Sequence, residues 1–169
     1  PLAVLNRGFG GSRMHQVAHY ADRIVIPYRP RAVVLFAGTN DIAGPWPKSA
    51  QHVYDGYVTL VATVETALPK TPIYFVSITP APSRRKYWPA FRQANDLIRA
   101  HALTADHLRY IDLVPALLGP DGEPRRDFFR RDRLHPSRQG YAVWAATIRP
   151  VLLADLGGEE DVAERQRPL

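Results

Sequence analysis

The sequence predicts an α/β domain built on a parallel sheet, and three observations carry that prediction. Short apolar runs of the kind buried strands use alternate with longer stretches of helical periodicity. Pro, Gly or Ser stands at most of the junctions between them. The polar residues with distinctive chemistry follow the apolar runs instead of interrupting them. Alternation of this type requires right-handed crossovers with helices on both faces of the sheet, and sites in such folds gather beyond the carboxyl ends of the strands.

Taken in order, "LAVL" at 2–5, "AVVLFA" at 32–37, "IYFVSI" at 73–78 and "LRYIDL" at 108–113 read as strands. Between them, helical patterns run over about 13–26, ended by Pro27, and over 49–68, with Ser49 as cap and Pro69 beyond. Two more cover 89–104, opened by Pro89, and 137–154, following Pro136. The order is βαβαβαβα. One domain is expected over 1–154, and the tail 155–169, "GGEEDVAERQRPL" at its end, lacks an apolar face and is expected to be disordered.

Composition excludes several classes. The 169 residues are 46% hydrophobic and 22% charged, which suits a single domain with its own core. There is no Cys, so neither a disulfide nor a thiolate metal site is available, and cytoplasmic and secreted locations both stay open. The longest apolar runs fall far short of the roughly 20 residues that span a membrane. The net charge of +6 comes from Arg scattered along the chain, apart from "RRDFFRRDR" at 125–133, and reads as a solvated surface, not a nucleic-acid footprint.

Three polar blocks follow strands: "NRGFGGS" at 6–12, "GTNDIAG" at 38–44, and "DRLH" at 132–135. Their chemistry suits acyl transfer. Such a reaction needs a His oriented by an Asp, a Gly with an unobstructed backbone N–H, and an Asn amide able to donate to a developing oxyanion. On a helix-like turn, residues three apart share a side, so Asp132 can accept the Nδ1 proton of His135 and leave Nε2 free. Pro136 then holds His135 extended just before a helix.

With "NRGFGGS", "GTND" and "DRLHPSRQGY" in this order and spacing, the sequence resembles the SGNH hydrolases, also called GDSL-type esterases and lipases, over about residues 2–153. The resemblance implies a flavodoxin-like three-layer α/β/α sandwich and a serine ester hydrolase that needs neither cofactor nor metal. It implies Gly11 and Asn40 as oxyanion donors, Asp132 and His135 as triad acid and base, and Asp41 as a brace of the "GTND" loop. The substrate would be a small-molecule ester. Oligomeric state is not legible.

The family's first block, a strand ending in Gly-Asp-Ser that carries the nucleophile, is expected before "PLAVLN" and is absent from the sequence. In a sheet of order 2-1-3-4-5, the missing strand belongs between "LAVL" and "AVVLFA". A βα unit of roughly 30 residues would supply it. Within the chain Ser12 is the best stand-in, because it follows Gly11, although no Gly-x-Ser-x-Gly elbow surrounds it. Ser49 and Ser137 stand at helix starts, Ser77 in a strand and Ser83 in a Pro-rich loop. The alternative reading is a non-catalytic module of the same fold that binds an acyl or carbohydrate ligand.

Other signals are weaker. His15 and His19 stand four apart, but Gln16 occupies the place of a metalloprotease Glu and the sequence marks no third ligand. "GFGGS" lacks the Lys-Ser/Thr of a P-loop. "KYWPAF" at 86–91 groups aromatics that either line a pocket or pack a helix start.

Overall fold

The computed structural model describes residues 3–165. They divide into two compact units, one comprising the residues up to Ile78 together with Lys86–Tyr110, the other Thr79–Arg85 together with the residues from Ile111 onward.

In the first unit the elements are α1 (Met14–His19), α2 (Ala21–Ile24), β1 (Val33–Leu35), α3 (Thr39–Ala43), α4 (Ala50–Ala67), β2 (Ile73–Val76) and α5 (Trp88–Ala102). With β3 (Leu108–Ile111), whose last residue passes into the second unit, the strands form a sheet ordered β1-β2-β3. Val33, Val34 and Leu35 pair in parallel with Ile73, Tyr74 and Phe75. The fold class is therefore α/β. Every residue of β2 is buried, so this central strand reads as a continuous apolar run and not as an alternation.

Helix α4 begins where the sequence placed it. Ser49 is extended and its Oγ accepts the His52 N–H at 3.1 Å, filling one of the orphan donors of the first turn. Its inward face, Val53, Tyr57, Leu60, Val61 and Val64, follows the 3.6-residue period and packs into one cluster with Ile73 and Phe75. Each such side chain stabilises by about 1.5–3 kcal/mol on full burial. Gly56 lies within this helix because α1 crosses there. A Cβ at Gly56 would sit 2.9 Å from Met14 Cγ and 3.2 Å from the backbone nitrogen of His15.

Two expectations need correcting in this unit. Residues 3–5 of "LAVL" form no strand, and Val4 and Leu5 are exposed. A strand persists only where a neighbour completes its ladder, and among the described residues no strand pairs with this stretch, "AVVLFA" included. The single helix over 13–26 is instead α1, α2 and a 3₁₀ turn at Ile26–Tyr28. Ile24, Val25 and Ile26 form a β-branched run ahead of Pro27, where helical propensity fails, and Arg29 then turns left-handed at φ 42°.

The second unit holds α6 (Val114–Leu117), a 3₁₀ turn at Arg126–Phe128, and α7 (Arg138–Arg165). Helix α7 runs past residue 154, where the sequence pattern ends it; residues 166–169 of the expected tail lie outside the described residues. Isolated antiparallel bridges join Leu118 to Pro124 and Phe129 to Pro136. Ser137 starts α7: its Oγ donates to the Asp127 carbonyl at 2.7 Å and accepts the Gly140 N–H at 3.2 Å. Gly140 is obligatory, because a Cβ there would stand 2.1 Å from the Phe128 carbonyl oxygen.

Candidate active site

The loop Arg130–Pro136 carries Asp132 and His135. It is not the helix-like turn that the spacing suggests. Arg133 is left-handed at φ 57°, and the loop is closed by Arg130 N–H donating to the His135 carbonyl at 2.8 Å and Arg133 N–H donating to the Arg130 carbonyl at 2.9 Å. Ser83 adds a further tie, since its N–H and its Oγ both donate to the Arg133 carbonyl, at 3.0 and 2.9 Å. No sequence signal marked Ser83 for this.

Within the loop Asp132 works with both oxygens. Oδ1 accepts the backbone N–H groups of Leu134 at 2.9 Å and His135 at 3.0 Å, while Oδ2 lies 2.8 Å from Nδ1 of His135. The side-chain bond to His135, seconded by the two backbone donors, holds the Asp132 carboxyl down at about 2, well below its ordinary value. An ionised Asp132 accepts a proton at Nδ1, which leaves Nε2 of His135 as the acceptor nitrogen of the neutral ring. Both side chains are exposed to solvent. A cavity of about 540 Å³ also belongs to this unit, lined by Pro82, Arg85, Glu123, Arg126 and Arg133 among others.

Gly11, Ser12, Asn40 and Asp41 belong to the first unit. Gly11 occupies an exposed turn at φ 72°, a conformation that favours Gly over any residue with a Cβ. Asn40 is the second residue of α3, and its Nδ2 donates one proton to the Ser12 carbonyl at 3.1 Å. The second Nδ2 proton is available to another acceptor. Gly38 makes that start possible: at φ 113° it brings the chain within 2.6 Å, measured from a notional Cβ, of Ile78 Cδ1. Asp41 is wholly buried and takes the Met14 N–H at 3.1 and 3.0 Å on its two oxygens, tying α3 to the start of α1. The structure thus joins Asn40 with Ser12, and Asp132 with His135; the two pairs fall in different units.

A residue that the sequence reading missed is Asn95 on α5. It is buried, its Oδ1 accepts the Ile78 N–H at 2.8 Å, and its Nδ2 donates to the Ile78 carbonyl at 3.0 Å. It completes the backbone of Ile78 just beyond the end of β2. The signal was its position on the inward stripe of Phe91, Ala94, Ile98 and Ala102. His15 and His19 do not pair as ligands: His15 instead faces Asp41, Nδ1 to Oδ1 4.0 Å, while the His19 ring packs edge-on against Tyr20.

The model of the GDSL-like lipase/acylhydrolase family matches residues 1–143. The chain belongs to that family. That family is one of hydrolases of the esterase and acylhydrolase type. Among curated relatives of this GDSL-family chain is platelet-activating factor acetylhydrolase IB subunit alpha1 of Rattus norvegicus, 28% identical over 167 residues that cover 95% of this chain and 68% of the relative. Two solved structures show the same fold. A GDSL-like lipase from Bacteroides thetaiotaomicron has a TM-score of 0.73 at 24% identity, covering 89% of this chain and 75% of its own. A carbohydrate esterase family 3 protein from Talaromyces cellulolyticus has a TM-score of 0.74 at 20% identity, covering 87% and 69%. Among the described residues no helix is long and apolar enough to cross a membrane.

Proposed function

We propose that this chain supplies the acid–base pair and the oxyanion donors of a serine carboxylic ester hydrolase, with the nucleophilic Ser contributed from outside these 169 residues. The observation that carries the reading is the His135–Asp132 pair at 2.8 Å, whose carboxylate is fixed by two backbone N–H groups. In the reaction, the Ser oxygen attacks the ester carbonyl carbon while its proton passes to Nε2 of His135. The Gly11 N–H and the remaining Asn40 Nδ2 proton donate to the tetrahedral oxyanion. Collapse breaks the bond to the alcohol, which takes the proton from His135, and water releases the acyl group by the same steps in reverse order. The substrate class is small acyl esters, acetyl esters first, since the relatives bear the names acetylhydrolase and carbohydrate esterase.

The Ser inventory supports an external nucleophile. The hydroxyls of Ser49, Ser83 and Ser137 are engaged in caps and loop ties, and Ser77 is wholly buried, which leaves Ser12, a residue with no Gly-x-Ser-x-Gly elbow around it. That same inventory favours the second reading, a non-catalytic module that binds an acyl or carbohydrate ligand. Hydrolysis of p-nitrophenyl acetate separates them, measured for this chain, for the chain extended by the upstream coding sequence, and for each with His135→Ala. Turnover confined to the extended chain and lost with His135 is the expected result. No turnover in either chain supports the binding module. His135-dependent turnover by the short chain overturns the external nucleophile, and Ser12 becomes the residue to mutate.

A further inference from the structure

The crossing of α1 over α4 brings together three side chains that the ester reaction does not use as acid, base or oxyanion donor. One ring nitrogen each from His15 and His52, and one carboxylate oxygen of Asp41, all lie within 4.8 Å of one another. His15 is on α1, Asp41 on α3 and His52 on the first turn of α4. The close approach at Gly56, one helical turn beyond His52, is what sets the two imidazoles edge to face, with ring centroids 5.7 Å apart.

Two features of this cluster point to a ligand. Nε2 of His52 is shielded from solvent and has no hydrogen-bond partner among the described residues. A shielded, unpaired polar nitrogen costs free energy that a partner would recover. Asp41 is wholly buried; among the described residues its oxygens accept the Met14 N–H, and Nδ1 of His15 lies 4.0 Å from its Oδ1. A carboxylate out of water with so little compensation attracts positive charge.

We propose that His15, Asp41 and His52 form a three-ligand site for a divalent transition-metal ion of the zinc class. Two imidazole nitrogens and one carboxylate oxygen are the donor set that zinc accepts, whereas calcium and magnesium take oxygen ligands. Metal–ligand bonds of 2.0–2.2 Å put the donors of a tetrahedral ion roughly 3.4 Å apart. The cluster's donors start within 4.8 Å of one another, and the side chain best placed to close the difference is His15, which is 48% exposed. Water fills the fourth position from that side. The ion ties α1, α3 and α4 together and fixes the helix on which Asn40 sits. The site stands independently of the ester hydrolase reading, because none of its chemistry passes through the acyl group.

The test is calorimetric titration of Zn²⁺ into the chelator-treated chain, free of any His tag, with absorption of the Co²⁺ form as a second readout. One ion per chain is expected, with visible tetrahedral Co²⁺ bands. The dissociation constant should rise by roughly tenfold or more in His15→Ala and in His52→Ala. It should hold in His19→Ala, on the same helix, and in His107→Ala, which removes the separate His107–Glu65 pair. If His52→Ala does not fold, His52→Gln and the solvent-side variant His15→Ala carry the comparison. The proposal fails if no stoichiometric Zn²⁺ binds, if binding survives both ligand variants, or if it is lost in His19→Ala or His107→Ala.

Discussion

Replacing Asn95 by Ala tests how β2 is held at its carboxyl end. The variant removes one acceptor and one donor from Ile78, whose N–H and carbonyl are both buried with it. Each of the two orphaned buried polar groups costs about 1–3 kcal/mol, so the loss should total about 2–6 kcal/mol, with the small void left by the truncation adding to that. Against a total stability of about 5–15 kcal/mol, that is a large fraction. At this chain length, 1 kcal/mol corresponds to roughly 2–4 °C, so Tm should fall by roughly 4–24 °C. Urea unfolding gives the free energy directly. Asn95→Asp sharpens the test, because it keeps the acceptor, loses the donor and sets a carboxylate against the Ile78 carbonyl. Protonation restores a donor, so its deficit relative to the native chain should shrink as pH falls. A loss below about 0.5 kcal/mol in Asn95→Ala, or an Asp variant indifferent to pH, would refute the account of Ile78 as a backbone that depends on this side chain.

Three further outcomes follow from the site and its supports. In the enzyme with its nucleophile, Asn40→Ala should lower kcat by roughly 10² to 10³ with the circular dichroism unchanged, as loss of an oxyanion donor does; full turnover from an unfolding variant would make "GTND" a structural turn. The Asp132 carboxyl should titrate near 2 by NMR, and in His135→Ala its pKa should climb toward 3.8 while staying below it, because the two backbone donors remain. Since the folded value is the depressed one, this group's stabilisation is complete above 3.8 and is lost as pH falls through about 2. A titration unmoved by loss of the imidazole would mean that the pair is not formed in solution. Gly140→Ala should destabilise by about 1–3 kcal/mol or more and lower the urea midpoint, since the added methyl meets the Phe128 carbonyl.

What could be read from the sequence was what local pattern encodes. The β-branched and aromatic run at Ile73–Val76, the Ser49 cap and the three-residue spacing of Asp132 and His135 each depend on neighbours in the chain. Residues that act across the chain were not legible. His52 joins His15 only because Gly56 lets two helices cross, and Ser83 reaches Arg133 from 50 residues away. Asn95 had a visible signal, a polar residue on an apolar stripe, but its partner is a backbone group that no sequence names. "LAVL" shows the converse failure: apolar composition is legible, whereas the ladder that would make it a strand depends on what lies beside it.

The left-handed Arg133 bears on binding as well as on shape. A non-Gly residue in that region costs of order 1–3 kcal/mol, and it persists only where its surroundings over-determine it. Here Arg130, Ser83 and Asp132 do so, each through bonds to the backbone of the loop. The conformational entropy of the His135 loop is consequently surrendered when the chain folds, before any ligand arrives. A ligand that meets His135 finds a preset group and loses none of its affinity to ordering that loop. Loosening the latch at Ser83, without touching Asp132 or His135, would return that entropic cost to each binding event, and would be felt as weaker binding by a protein whose folded structure is otherwise unchanged.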